Sequence, residues 1–211
     1  MKKVSAYKYV DEAISALDNG GRFYNVLTKA NDGIISQAEL GKVGGVFSDK
    51  QKMILFLEMA MFNLNDSQKK MVFSKLESKL QNTYKKFRPS KMLPFEANNR
   101  AKLTESAIIT GVAKWITSKT DFNGFIMIPI VAGKVTTFTM VPLIDAYDVY
   151  EMRDHSTSEV FLIAHARSKE KLPEAKIQVA GIFKELKTSK DEDFDSKLFL
   201  EALYYSDISK S

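Results

Sequence analysis

Apolar residues in the first half of the chain recur at helical spacing. Val4, Tyr7, Val10, Ile14 and Leu17 stand three or four apart and predict a first helix, which the polar run Asp18-Asn19-Gly20-Gly21 stops. Phe23, Val26 and Leu27 predict a short second helix. Ser36 opens a third, and Gly44-Gly45 closes it. Ser48 and Asp49 cap "MILFLEMAMF", residues 53–62, whose apolar body predicts a buried central helix. Asn65, Asp66 and Ser67 offer the cap of a further helix running toward Arg88, and Pro89 ends it. The stretch "RPSKMLPFEANNR" predicts a linker over 89–103.

Past Asp121 the period changes from helical to extended. "FIMIPIV", "VTTFTMVPLI", "YDVYEM", "EVFLIAHA" and "KIQVAGIF" are short runs rich in β-branched and aromatic residues. "AGK", "RDHSTS" and "SKEKLPEA" separate them as turns. Residues 104–118 read as a bridging helix or an opening strand, of which the helix is preferred, and 194–205 as a last helix behind the acidic loop "SKDEDFD". The expected fold class is α+β: an N-terminal helical domain over 1–95, then a small OB-like β-barrel with a C-terminal helix over 104–211.

Charge sharpens the division. Residues 1–120 carry 20 Lys/Arg against 11 Asp/Glu, and residues 121–211 carry 11 against 15, so net charges of +9 and −4 make up the +5 of the chain. Two units with different surfaces account for such an asymmetry. The absence of cysteine excludes disulfides, thiolate nucleophiles and cysteine-bound zinc. No apolar run approaches the roughly 20 residues that span a bilayer. Asp11 and Glu12 stand where a signal peptide needs its apolar segment. A cytoplasmic protein with no membrane partner is expected.

Candidate chemistry is sparse. No phosphate loop, nucleophile elbow or HExxH is present, and no motif implies a cofactor. His155 and His165 fall on a turn and a strand, where structural roles are expected. Asp145, Asp148, Glu151 and Asp154 are split by strand alternation and are expected on a solvated face. No enzyme is expected. "NVLTKANDGIISQAELGKV", residues 25–43, can be set against a calcium loop with Gly33 at position six. That register places Thr28, Ala30 and Asp32 at positions one, three and five, and Glu39 at twelve, leaving two carboxylates. A turn suits the residues better, with Gly33 left-handed and Ser36 and Glu39 forming a capping box. Asp32 and Glu39 remain the candidate metal residues.

Two resemblances add to this. "FYNVLTKANDGIISQAEL", residues 23–40, resembles the helix–"ADG-x-I-S-x-x-E"–helix stretch of the tellurite-resistance TerB-like proteins. The likeness covers about residues 20–80. It implies a wholly helical, metal-responsive stress protein in which Asp32 and Glu39 occupy the acidic loop positions. Residues 147–186 look like the middle of an OB-fold barrel, with Gly181 where such a barrel must curl. Barrels of that kind bind oligonucleotides, sugars or other proteins.

Residues 69–91 hold eight basic residues and one acid. On a continuous helix, Lys75, Lys79 and Lys86 fall within about 40° of one another. Val72, Leu76, Leu80 and Tyr84 make an apolar stripe beside them. With Lys85, Lys86, Arg88 and Lys91 near the helix end, this predicts a ridge for phosphates. Tyr147, Tyr150 and Phe161 are the candidate base-stacking aromatics. The expected function is a non-enzymatic binding or adaptor protein, with single-stranded nucleic acid as the first partner class. The alternative is a protein partner or self-association.

Overall fold

The computed structural model describes residues 1–18, 31–116, 124–132, 135–154, 159–168, 170–190 and 193–208. The expected short helix at Phe23–Leu27 and His155 lie outside them. The chain divides into two compact units, one of Lys2–Ser90 and one of Met1 with Lys91–Ser211.

The Lys2–Ser90 unit contains β1 (Lys2–Lys3) and five helices: α1 (Val10–Leu17), α2 (Gln37–Gly44), α3 (Lys50–Ala60), α4 (Asp66–Lys75) and α5 (Ser78–Phe87). Side-chain caps start α2, α3 and α4. Ser36 Oγ accepts from the Glu39 amide, Asp49 from that of Lys52, and Asn65 from that of Gln68. Gly45, at φ 71°, ends α2 in the left-handed conformation that glycine adopts without strain. Every residue of α3 from Met53 to Ala60 is buried, all but Glu58 apolar, so this helix is enclosed on every side and forms the centre of its unit.

The single helix expected from 65 to 88 is broken. Leu76, at ψ 138°, is extended and forms a parallel bridge with Ile35. The Ile35 amide donates to the Lys75 carbonyl at 2.7 Å, and the Glu77 amide donates to the Ile35 carbonyl at 2.9 Å. The Glu77 carboxylate also accepts from the Gln37 amide at 2.9 Å. The helix is interrupted because a distant segment takes over its backbone hydrogen bonds.

The division falls within β2 (Ser90–Met92), after which the second unit holds α6 (Pro94–Arg100), then β3 (Ser106–Trp115), β4 (Gly124–Ala132) and β5 (Val135–Pro142). It continues with α7 (Leu143–Ala146), β6 (Tyr147–Arg153), β7 (Val160–Ala166), β8 (Lys176–Lys190) and β9 (Asp193–Asp207). The strands β3 to β9 belong to one sheet in the order β9-β7-β6-β3-β8-β4-β5. Because β9 also pairs with β8, the five strands β3, β6, β7, β9 and β8 close into a ring. The β7–β9 pairing is parallel, and β3, β6 and β8 pair antiparallel around it. All five ring strands contribute to one apolar cluster, through residues such as Ile109, Met152, Ile163, Phe183 and Leu200.

These facts correct the expected fold class. More described residues lie in strands than in helices, and the five-stranded ring is part of one large sheet that continues into β4 and β5, not a small barrel with a C-terminal helix beside a helical domain. At 104–118 the preferred bridging helix gives way to the alternative, an opening strand, which is β3, and the C-terminal helix expected at 194–205 is β9. Part of the expected linker is built into the second unit, where Met92 and Ala97 are buried in the apolar cluster.

Candidate functional site

The basic residues fall into two groups. Lys75 ends α4, while Lys79, Lys85 and Lys86 lie on α5 and Arg88 follows it. All five are exposed, as is Lys91, which belongs to the second unit. The break at Leu76 means that helical rotation cannot be counted from Lys75 to Lys79, so the three-lysine ridge is not one helix face. On α5 itself Leu80 and Thr83 are buried, and Tyr84 donates its hydroxyl to the carboxylate of Glu58 on α3. Burial and the Glu58 charge push the Tyr84 hydroxyl well above its ordinary pKa. The expected apolar stripe is thus what holds α5 down, leaving Lys79, Lys85 and Lys86 toward solvent.

The segment from Asn31 to Glu39 is a stitched turn. Asn31 and Gly33 have positive φ, 61° and 84°. The Gly33 amide donates to Asp18 Oδ2 at 2.8 Å, and the Ile34 amide to Asp32 Oδ1 at 2.9 Å. Glu39 Oε2 accepts from both the amide and the hydroxyl of Ser36, at 2.9 and 2.8 Å. Each acid is therefore engaged by the backbone turn it stabilises. Asp18 Oδ1 and Glu39 Oε1 are buried without a hydrogen-bond partner. No group of three or more His, Asp or Glu side chains placed to hold a metal occurs among the described residues. Asp32 and Glu39 do not make up the oxygen set a calcium ion requires.

The aromatics expected to stack bases are mostly interior. Tyr150 is 1% exposed and Phe161 4%, the latter packing edge-on against Phe183 at 5.7 Å. Tyr147 is half-buried, and its hydroxyl donates to Glu201 at 2.9 Å. Burial and that carboxylate raise its pKa to about 12. In this arrangement Tyr150 and Phe161 serve the core and offer no face to a base.

A polar network missed by sequence reasoning sits beside them. Strand register puts Asp148 directly across from His165, both buried, which corrects the solvated face expected for Asp148. Lys171 pairs with the Asp148 carboxylate, and the Ser168 amide donates to it at 3.3 Å. The Lys171 ammonium also lies 4.6 Å above the ring of Trp115. His165 Nδ1 lies 2.9 Å from the Ala166 carbonyl, which assigns the proton to Nδ1. Nε2 then accepts from the Tyr150 hydroxyl at 3.3 Å, and that hydroxyl accepts from the Leu172 amide at 3.2 Å. The network ties the β6–β7 pair to the loop after β7.

Burial lowers the His165 pKa, outweighing the Ala166 carbonyl and the Asp148 charge that raise it. For Asp148, burial raises the pKa, but Lys171 and the Ser168 amide together bring it below its ordinary value. Both groups make the folded state bind fewer protons than the unfolded chain in acid. Stability contributed by His165 is present above the ordinary histidine value of 6.5 and is lost as pH falls below it. Asp148 adds a second loss below 3.8. Unfolding free energies from urea denaturation between pH 7.5 and 5 should fall with acidification, at most by about 1.4 kcal/mol per pH unit for one proton. His165→Gln should flatten that slope; an unchanged slope would mean that His165 is not the group responsible.

Among the described residues, half of the exposed large apolar side chains lie on the β4–β5 ribbon. An unbroken register joins the strands from Phe125–Pro142 to Ala132–Val135. Among the described residues, Gly124 and Phe125 alone pair with β8. Beyond them Met127, Ile128, Ile130, Val131, Phe138 and Met140 are exposed, Val131 by 69% and Phe138 by 57%. Alternation puts Met127, Val131, Phe138 and Met140 on one face and Ile128 and Ile130 on the other, so both faces are apolar. Between 124 and 142 the sequence has one charged residue, Lys134. The continuous apolar run "FIMIPIVA" marked a strand, but sequence alone did not tell that its side chains stay outside the core. No helix among the described residues is long and apolar enough to cross a membrane. No protein-family model and no curated protein matches the chain.

Proposed function

We propose that this chain is a non-enzymatic interaction module that docks a protein partner through the β4–β5 ribbon. The observation that carries the reading is a two-stranded arm, apolar on both faces, that pairs with β8 at two positions and then leaves the sheet. Contiguous exposed apolar surface of this kind marks docking sites in soluble proteins. A two-stranded ribbon is marginal in water unless something covers it. The polar network around His165 supports a non-enzymatic part, since its groups are engaged within the fold.

A photo-crosslinking residue placed at Phe138 in the full chain tests the reading in cells. Adducts of discrete protein mass at Phe138, absent from the same probe at exposed Lys197, are the expected result. Their absence would overturn it. A second reading, phosphate contacts to single-stranded nucleic acid, is favoured by the exposed Lys79, Lys85 and Lys86 of α5. In that case changing all three to Gln should flatten the log–log salt dependence by about 0.7 per lysine. No oligonucleotide binding by the intact protein at low salt would remove that reading.

A further inference from the structure

We infer that the occupant of the ribbon's open edge is β5 of a second copy of this chain, paired antiparallel about a two-fold axis at Phe138. The inference rests on the ribbon being the docking surface and names its partner.

The first ground is the edge itself. β5 ends the strand order, and among the described residues no strand pairs its outer side. Protected edges carry a mid-strand charge, a proline or a bulge. Val135–Pro142 has no charge and no glycine, its register with β4 is unbroken, and its only proline is at the end beside α7. The backbone groups of alternate residues along β5, those not directed at β4, are left ready for a strand.

The second ground is that the edge is complementary to itself. An antiparallel pair about Phe138 sets Phe138 against Phe138, Thr137 against Thr139 and Thr136 against Met140. Each pair keeps its side chains on matching faces, because strand alternation has a period of two. Facing threonines and facing aromatics are favourable cross-strand neighbours. A two-fold contact needs this kind of self-complementarity.

Charge permits the same occupant. β5 brings no charge to the contact, so nothing along it repels the same strand of a second copy. The paired ribbons would form a four-stranded arm whose Phe138 side chains meet at the axis, flanked by Met140 and the β4 residues Met127 and Val131. Hydrocarbon is the poorer fit. A bilayer would cover both faces but leave the β5 backbone groups without partners.

The absence of cysteine makes the test clean. Phe138→Cys in the full-length protein should form an intermolecular disulfide under mild oxidation, since directly opposed strand residues lie within disulfide reach. Val131→Cys should not, because β4 stands one strand further from the axis in each copy, roughly 14 Å from its counterpart. Sedimentation of the wild type should show a monomer–dimer equilibrium. Thr137→Lys/Thr139→Lys, which sets ammonium groups against each other across the axis, should weaken it at least tenfold with an unchanged circular dichroism spectrum. If those lysines perturb folding, the cysteine pair still decides. A dimer that survives the lysine variant with no selective crosslink at Phe138→Cys overturns the inference. So does a wild type that stays monomeric, whether or not it floats with phosphatidylcholine–phosphatidylglycerol vesicles. A monomer that still gives foreign-protein adducts at Phe138 leaves the docking module standing without this partner; no adduct of any kind removes both.

Discussion

Gly181→Ala is expected to destabilise the fold by at least about 3 kcal/mol, near the upper end for overpacking a close contact. A Cβ built on Gly181 would sit 2.2 Å from the backbone oxygen of Glu201 and 2.9 Å from Leu200 Cγ. The oxygen cannot swing aside as a side chain could, because it belongs to the strand that pairs with β8. Relief would require β8 and β9 to part, and that pairing is what closes the five-stranded ring. The register shift between Ala180 and Gly181 lies at this same point, so the close approach and the local irregularity share a cause. Gly111 is a milder version on β3, with its would-be Cβ 2.5 Å from the Arg153 oxygen. Urea denaturation reads the effect as a lower midpoint. A Gly181→Ala midpoint close to wild type would mean that the β8–β9 contact is looser than described.

The sequence marked Gly181 as a point where a barrel must curl, not as a close approach of strands, and it did mark the five β-branched runs. Their composition matches what a pleated, packed surface selects, and the turns between them carry polar residues. What failed were segments whose local preference conflicts with their place in the sheet. Residues 104–118 contain Ala, Lys and Thr in an order that permits a helix, but β3 pairs with both β6 and β8 and is buried at four successive positions from Ser106 to Ile109. Such burial on both faces erases the alternation by which a strand announces itself. The stretch 198–206 holds three Leu beside Glu201 and Ala202, all residues that favour helix. Leu200, Ala202, Tyr204 and Ser206 are nevertheless buried in alternation, as a strand requires. Tertiary pairing with β7 and β8 overrides the propensity.

The interactions within the candidate sites were less legible because they are non-local. No Gly or Pro lies between Asn65 and Arg88, so nothing near Leu76 announces the break that Ile35 imposes. Asp148 and His165 are seventeen positions apart by number and meet only through the β6–β7 register. Lys171 reaches Asp148 from a loop whose polar composition promised nothing beyond a turn. By contrast, the capping box of Ser36 and Glu39 and that of Asn65 and Gln68 are contained within four residues, and short-range chemistry determines them.

Leu57→Ala should cost the Lys2–Ser90 unit about 3 kcal/mol, the middle of the range for truncating a buried leucine. Leu57 is fully buried in α3, and its neighbours from Met53 to Ala60 are buried too. A helix enclosed on every side cannot shift toward the vacancy without opening a gap on its opposite face, so little of the cavity should collapse. The same helix carries Glu58, which holds the Tyr84 hydroxyl and through it α5. Any displacement of α3 therefore also loosens the helix that presents Lys79, Lys85 and Lys86. Phe47→Ala supplies the contrast: this larger side chain is 66% exposed, and its loss should stay within about 0.5 kcal/mol. Chemical denaturation of the two variants gives the comparison, and amide exchange should rise across α3 and α5 in Leu57→Ala alone. Equal costs at Leu57 and Phe47 would mean that α3 is not the enclosed centre of its unit.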